Sequence, residues 1–128
     1  MLTWWAFYDE EQDLLALDKS LQIEHIYARK RAEFEGLSQP NNLEVLGNKV
    51  LLESAINIKA SDYRFADKIK YYSGFKNSRG QSIGNTKICE LHHMADSLSD
   101  FTENEIVQRN ALIIQKFIGY LRENGLIK

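Results

Sequence analysis

The stretch FTENEI at residues 101–106 constrains the fold more than any other part of the chain. Thr102 followed three residues later by Glu105 is a capping box, in which each side chain serves an otherwise unbonded backbone N–H. Phe101 and Ile106 flank it at the positions of a hydrophobic staple. A helix is therefore predicted to start at about Glu103. Ile106, Asn110, Ile113, Ile114, Phe117, Ile118 and Leu121 give it one broad apolar face, and Gly125 is placed to stop it. Such a face has to be buried, so the helix reads as core scaffold with no chemistry of its own. A chain of 128 residues has room for one core around it, and a single domain over residues 1–128 is expected.

Composition bounds the partners. With 44% hydrophobic and 27% charged residues the chain is ordinary for a globular protein. Its longest apolar runs, LTWWAF and ALII, fall far short of the roughly eighteen residues of a membrane span, and no charged-then-apolar signal opens the chain. A cytoplasmic protein with no membrane partner is expected. The single cysteine, Cys89, excludes an internal disulfide. A net charge of −2 taken alone argues against a nucleic-acid partner, but its distribution argues the other way. Residues 1–18 hold five acids and no base, whereas residues 59–87 hold seven bases against two acids. Arg29, Lys30 and Arg31 form a second cluster, for which a solvated loop is the competing reading.

The opening LTWWAFYDEEQDLLALD is read as a helix ending before Lys19. From Leu21 to Tyr27, Leu21, Ile23 and His25 alternate with Gln22 and Glu24, the period-two signature of a half-buried strand. Residues 28–42 are polar, contain the only proline, and read as a loop. A second strand is expected at Leu43, Val45 and Leu46, ending in a turn at Gly47 and Asn48. The segment from Leu51 to Phe75 reads as helical, with Phe65, Ile69 and Tyr72 on one face and Ser61 or Asp62 as N-cap of its later part. Residues 73–87, rich in Gly, Ser and Asn, are expected to be a flexible connection.

Three elements then line up: Glu24-His25 at a strand end, Asn48 in the LGN turn, and Asn57 beyond the LL pair, 23 and 32 residues after His25. This ordered set resembles the HNH, or His-Me finger, nucleases. More narrowly, IEHIY, LGNKVLL, and Asn57 with Phe65 and Lys68 downstream resemble the C-terminal nuclease domain of GmrSD-type, modification-dependent restriction enzymes. FTENEIVQRNAL, with Ile106, Arg109 and Leu112, is similar to that family's closing helix. The motif-bearing likeness covers residues 21–68 and, more loosely, 101–121. Two positions depart from the pattern: Ala28 stands where the family commonly has proline, and Lys49 where it usually has an apolar residue.

The resemblance implies an α+β fold with a ββα-metal core and additional packing helices, one divalent ion (Mg²⁺ or Mn²⁺), DNA as substrate, and endonucleolytic cleavage in the restriction of foreign or modified DNA. It also implies an NTP-dependent recognition domain or subunit as partner, of which larger enzyme this chain would be a piece. The residue chemistry fits those tasks. Histidine, with an ordinary pKa of about 6.5, takes a proton from water when neutral, so His25 is the expected general base. The Asn48 amide bonds backbone on both sides and orients the loop that aims it. Glu24 and Asn57 offer oxygen ligands to a hard cation. Arg29, Lys59, Arg64 and Lys68 are the expected phosphate contacts, with a solvated helix face as the competing reading of the last three.

One geometric difficulty accompanies this reading. Neighbouring strand residues point to opposite faces, so Glu24 and His25 share a site only if the strand ends or bulges there. In a strand that runs straight, Glu24 is the ligand to be dropped. Three rival readings stay open. Asn48 and Asn57 are also ordinary turn and surface residues. The same scaffold without activity would be a nucleic-acid-binding or protein-interaction module. Cys89, His92 and His93 suggest zinc, though a structural site normally takes four ligands and only three can be named.

Overall fold

The computed structural model of the chain describes residues 2–8, 12 and 20–127. Its elements are α1 (Leu2–Tyr8), β1 (Leu21–His25), α2 (Arg29–Glu35), β2 (Lys49–Glu53), α3 (Phe65–Ser73), β3 (Phe75–Lys76), β4 (Ser82–Ile83), α4 (Cys89–Ser97) and α5 (Glu103–Glu123). Two short 3₁₀ turns, Pro40–Leu43 and Leu46–Asn48, lie between α2 and β2. The fold is α+β, with two small antiparallel sheets. Of the helix expected before Lys19, residues 2–8 are helical and the rest lies outside the described residues apart from Gln12. None of the described helices is long and apolar enough to cross a membrane.

β1 and β2 pair in antiparallel register, from Leu21 opposite Glu53 to His25 opposite Lys49. Val50 and Leu52 are buried, so the face they share with Glu24 and Gln22 is the core face. This corrects the alternation expected for β1: Ile23 is 57% exposed, and Glu24 points inward. The hairpin takes its buried apolar side chains, Val50 and Leu52, from β2, while β1 contributes the partly buried Leu21 and an acid that finds partners inside.

The second strand also shifts. Leu43, Val45 and Leu46 do not form it; LGN is a 3₁₀ turn, and the strand starts after it, at Lys49. The reason lies in α5. A Cβ at Gly47 would collide with the Ile106 carbonyl oxygen and the Asn110 side chain, so only glycine lets the turn lie this close to the helix. Gly47 N–H then donates to Asn110 Oδ1 at 2.9 Å.

Three further expectations give way. The supposed loop 28–42 contains α2, whose Arg31 is buried and bidentate to Asp100 at 2.9 and 3.0 Å, with Glu35 one turn away at 3.2 Å. Residues 54–64 are not helical: α3 starts only at Phe65, with Arg64 at the N-cap and no side-chain cap bond. Asp62, expected as a cap, accepts from the Tyr71 hydroxyl at 2.6 Å instead. Residues 75–83 make the β3–β4 hairpin, whose turn is held by Asn77 Oδ1 accepting from the N–H groups of Arg79 and Gln81.

α5 starts at Glu103 behind a complete capping box, and Gly125 follows its end with φ of 68°. Phe101, Ile106 and Ile113 are buried in or against the core that Ile26, Leu52, Phe65, Tyr72, Ile88 and Leu91 also fill. The far half is more open than its apolar stripe suggests: Ile114 and Ile118 are exposed, and Phe117 packs edge-on against Trp4 of α1 with ring centres 5.1 Å apart. Glu103 ties the helix start to the loop before it, accepting from Ser38 N–H (2.7 Å) and hydroxyl (2.6 Å), Gln39 N–H (2.9 Å) and Asn42 Nδ2 (2.9 Å). These donors, the Ser38 hydroxyl first, bring its carboxyl down to about 2.

Candidate active site

Asn48 is fully buried, and its amide is wholly engaged with backbone. Oδ1 accepts from Tyr27 N–H at 2.6 Å, while Nδ2 donates to the carbonyls of Tyr27 (3.0 Å) and Leu43 (2.9 Å). Its own carbonyl accepts from Ile26 N–H at 3.0 Å. The chain leaving β1 is therefore pinned for two residues beyond His25 by one asparagine from the LGN turn.

The imidazole of His25 points to the opposite side of the strand from Glu24. Its Nε2 lies 3.2 and 3.3 Å from the two carboxylate oxygens of Glu44, a residue the sequence reading did not single out. The same carboxylate meets Arg29 at 3.0 Å and Lys49 at 3.3 Å. The hydrogen bond to His25 and the two nearby cations hold the Glu44 carboxyl below its usual range. An ionised carboxylate only accepts, so Nε2 carries the proton and a neutral His25 presents its lone pair at Nδ1. One acid against Arg29 and Lys49 leaves the cluster net positive, which suits a phosphate. Lys49, the departure from the family pattern, supplies one of those two charges.

Glu24 belongs to a separate, buried group. Its Oε2 accepts from Lys68 Nζ and from the Tyr72 hydroxyl, both at 3.1 Å, and Lys68 Nζ also donates to the His25 carbonyl at 2.6 Å. Burial pushes the Lys68 ammonium down from its ordinary value and the Tyr72 hydroxyl well up, the Glu24 charge opposing the first shift and adding to the second. Lys68 is thus an internal counter-ion of the strand end and, at 4% exposed, not the open phosphate contact expected of it. Glu24, Lys68, Lys59, Lys30 and Tyr63 line a cleft of about 170 Å³. Lys59, Arg64 and Arg29 are exposed.

Asn57 lies exposed in the irregular segment after β2. Among the described residues no three His, Cys, Asp or Glu side chains converge as a metal site. The carboxylate expected to ligate Mg²⁺ is already neutralised by an ammonium and bonded by a phenol. The donor set does not fit a preformed divalent-cation cage. The zinc alternative finds no support in the geometry either, since His92 Nε2 bonds the Thr86 carbonyl at 2.5 Å.

Two residues of α5 complete the arrangement. Arg109 Nη1 donates to the carbonyls of Leu46 (3.0 Å), Gly47 (3.0 Å) and Lys49 (2.7 Å), and its remaining donors pair with Glu90 at 2.8 and 2.9 Å. Asn110 takes the Gly47 N–H. The helix that carries no reactive group thus sets the turn that supplies Asn48. Arg109 had a faint signal, as a charged residue inside an apolar stripe. Glu44 had none, because its role exists only once the chain folds back on β1.

Residues 2–116 match the sequence model of the GmrSD restriction endonucleases, C-terminal domain. The chain belongs to that family, and it is by that membership a restriction-endonuclease-related nuclease domain. No curated protein and no solved structure matches it.

Proposed function

We propose that this domain hydrolyses phosphodiester bonds of DNA, with β1, β2 and α3 in the places of a His-Me finger. The observation that carries the proposal is the Asn48 clamp, which fixes the strand end bearing His25 while Glu44 holds Nε2–H and leaves Nδ1 free to accept a proton. His25 Nδ1 takes the proton from a water whose oxygen attacks phosphorus, the P–O bond to one sugar oxygen breaks on the opposite side, and the departing alkoxide takes a proton from solvent water. Arg29 and Lys49 offset the negative charge that builds on the phosphate oxygens. No step is routed through a divalent ion, for which the described side chains form no cage. Target choice belongs, in this proposal, to an NTP-dependent recognition domain or subunit.

The test is a plasmid assay run with Mg²⁺, with Mn²⁺ and with a chelator. Because none of these steps uses a divalent ion, nicking or linearisation is expected in all three arms, and His25→Ala is expected to abolish it without changing the circular dichroism spectrum. Cleavage retained by that variant removes His25 from the mechanism.

The engagement of Glu24 with Lys68 and Tyr72 favours a second reading, a module on the same scaffold that binds DNA without cutting it. Salt-sensitive binding with no cleavage in any arm selects this reading.

A further inference from the structure

Phe34, near the end of α2, is 69% exposed. Its ring stacks on Tyr63, with centroids 5.7 Å apart and planes 26° apart. Two cations converge on Tyr63: the Lys30 ammonium lies 5.4 Å and the Arg64 guanidinium carbon 4.7 Å from its ring centre. Among the described residues neither of these, nor the neighbouring Lys59, makes an ion pair. Lys30, Lys59 and Tyr63 also line the cleft that reaches Lys68, whose ammonium bonds the His25 carbonyl. Tyr63 and the Glu24 side of the strand end therefore open onto one cleft, with Phe34 stacked on Tyr63 beside it.

A single exposed ring on a protein surface is ordinary. An exposed ring stacked on a half-buried one, with cations around it that make no ion pair among the described residues, is a different composition. It offers a π face on which any base can stack and charges for the flanking phosphates, the combination that retains single strands. A fully paired duplex hides its base faces and makes no use of such a ring.

We propose that Phe34 and Tyr63, with Lys30, Lys59 and Arg64 around them, hold an unstacked nucleotide of a DNA strand, the base lying on Phe34 and its phosphates against the cations. This rests on the reading that the domain acts on DNA. It names the substrate class as DNA with an unpaired or extruded base, ahead of fully paired duplex.

The test measures fluorescence anisotropy of three labelled oligonucleotides: a single strand, a duplex with a one-base bulge and a fully paired duplex. Binding is measured in the His25→Ala chain to prevent cleavage. Adding Phe34→Ala is expected to weaken the first two by roughly tenfold and the third by less than about twofold, and Phe34→Trp to restore them. Unchanged binding to all three, or an equal loss on all three, overturns the platform. Plasmid cleavage by the unaltered chain keeps the two ideas apart. Cleavage without the Phe34 effect leaves the nuclease and sinks the platform, while the Phe34 effect without cleavage leaves the platform and sinks the nuclease.

Discussion

Asn48 shows how much a single amide can hold. It answers a backbone N–H and a carbonyl of Tyr27, both buried, and a partly buried carbonyl of Leu43. Asn48→Ala leaves them orphaned and is expected to lower stability by roughly 2–4 kcal/mol, read from urea unfolding, because each buried polar group without a partner costs about 1–3 kcal/mol. Glu44 makes the contrasting prediction. Half-exposed, it bears little on the fold, but it decides which imidazole nitrogen carries the proton. Glu44→Gln, whose amide both donates and accepts, is expected to cut plasmid cleavage by at least about tenfold with an unchanged melting temperature. A fall in activity accompanied by an equal fall in melting temperature would show Glu44 to be structural. The placement of His25 at a strand end and of Asn48 in the LGN turn is legible because each follows from local sequence. Glu44 is not, since it reaches His25 only through the fold of residues 26–44.

At the scale of elements, legibility followed the range of the interactions. α5 was readable to the residue at its start because capping box, staple and closing glycine are local signals. α2 was not, although Arg, Lys, Ala and Glu favour helix, because proximity to a proline-containing polar stretch read as loop and its anchor, Asp100, lies 69 residues away. β2 begins at Lys49 and not at Leu43 because Gly47, which would end a strand over 43–46, answers to α5. The start of α5 also carries a pH prediction. The Glu103 carboxyl titrates near 2 in the folded chain against an ordinary 4.5, so its contribution is present above about 4.5 and is lost as pH falls towards about 2. Glu103→Gln is expected to melt below the unaltered chain at pH 6 and to converge with it near pH 2. A gap that stays constant over this range would refute the assignment.

Across the whole molecule, Arg109 is where the parts meet. It links the LGN turn to Glu90 of α4, and Glu90 accepts from Trp5 of α1 at 2.9 Å, so four segments distant in sequence depend on one guanidinium. Arg109→Ala strands Glu90 and three carbonyls and is expected to cost about 3–5 kcal/mol in urea unfolding, with the transition still single. Loss confined to the neighbourhood of α4, seen as two transitions, would contradict this. Lys68 has a consequence of another kind. By bringing a tethered positive charge to Glu24, the chain completes that end of the sheet from its own covalent stock and need not wait for an ion from solution to finish folding. A chelator, whatever it does to cleavage, is therefore expected to leave the thermal midpoint where it was, unlike domains whose architecture collapses when their metal is withdrawn.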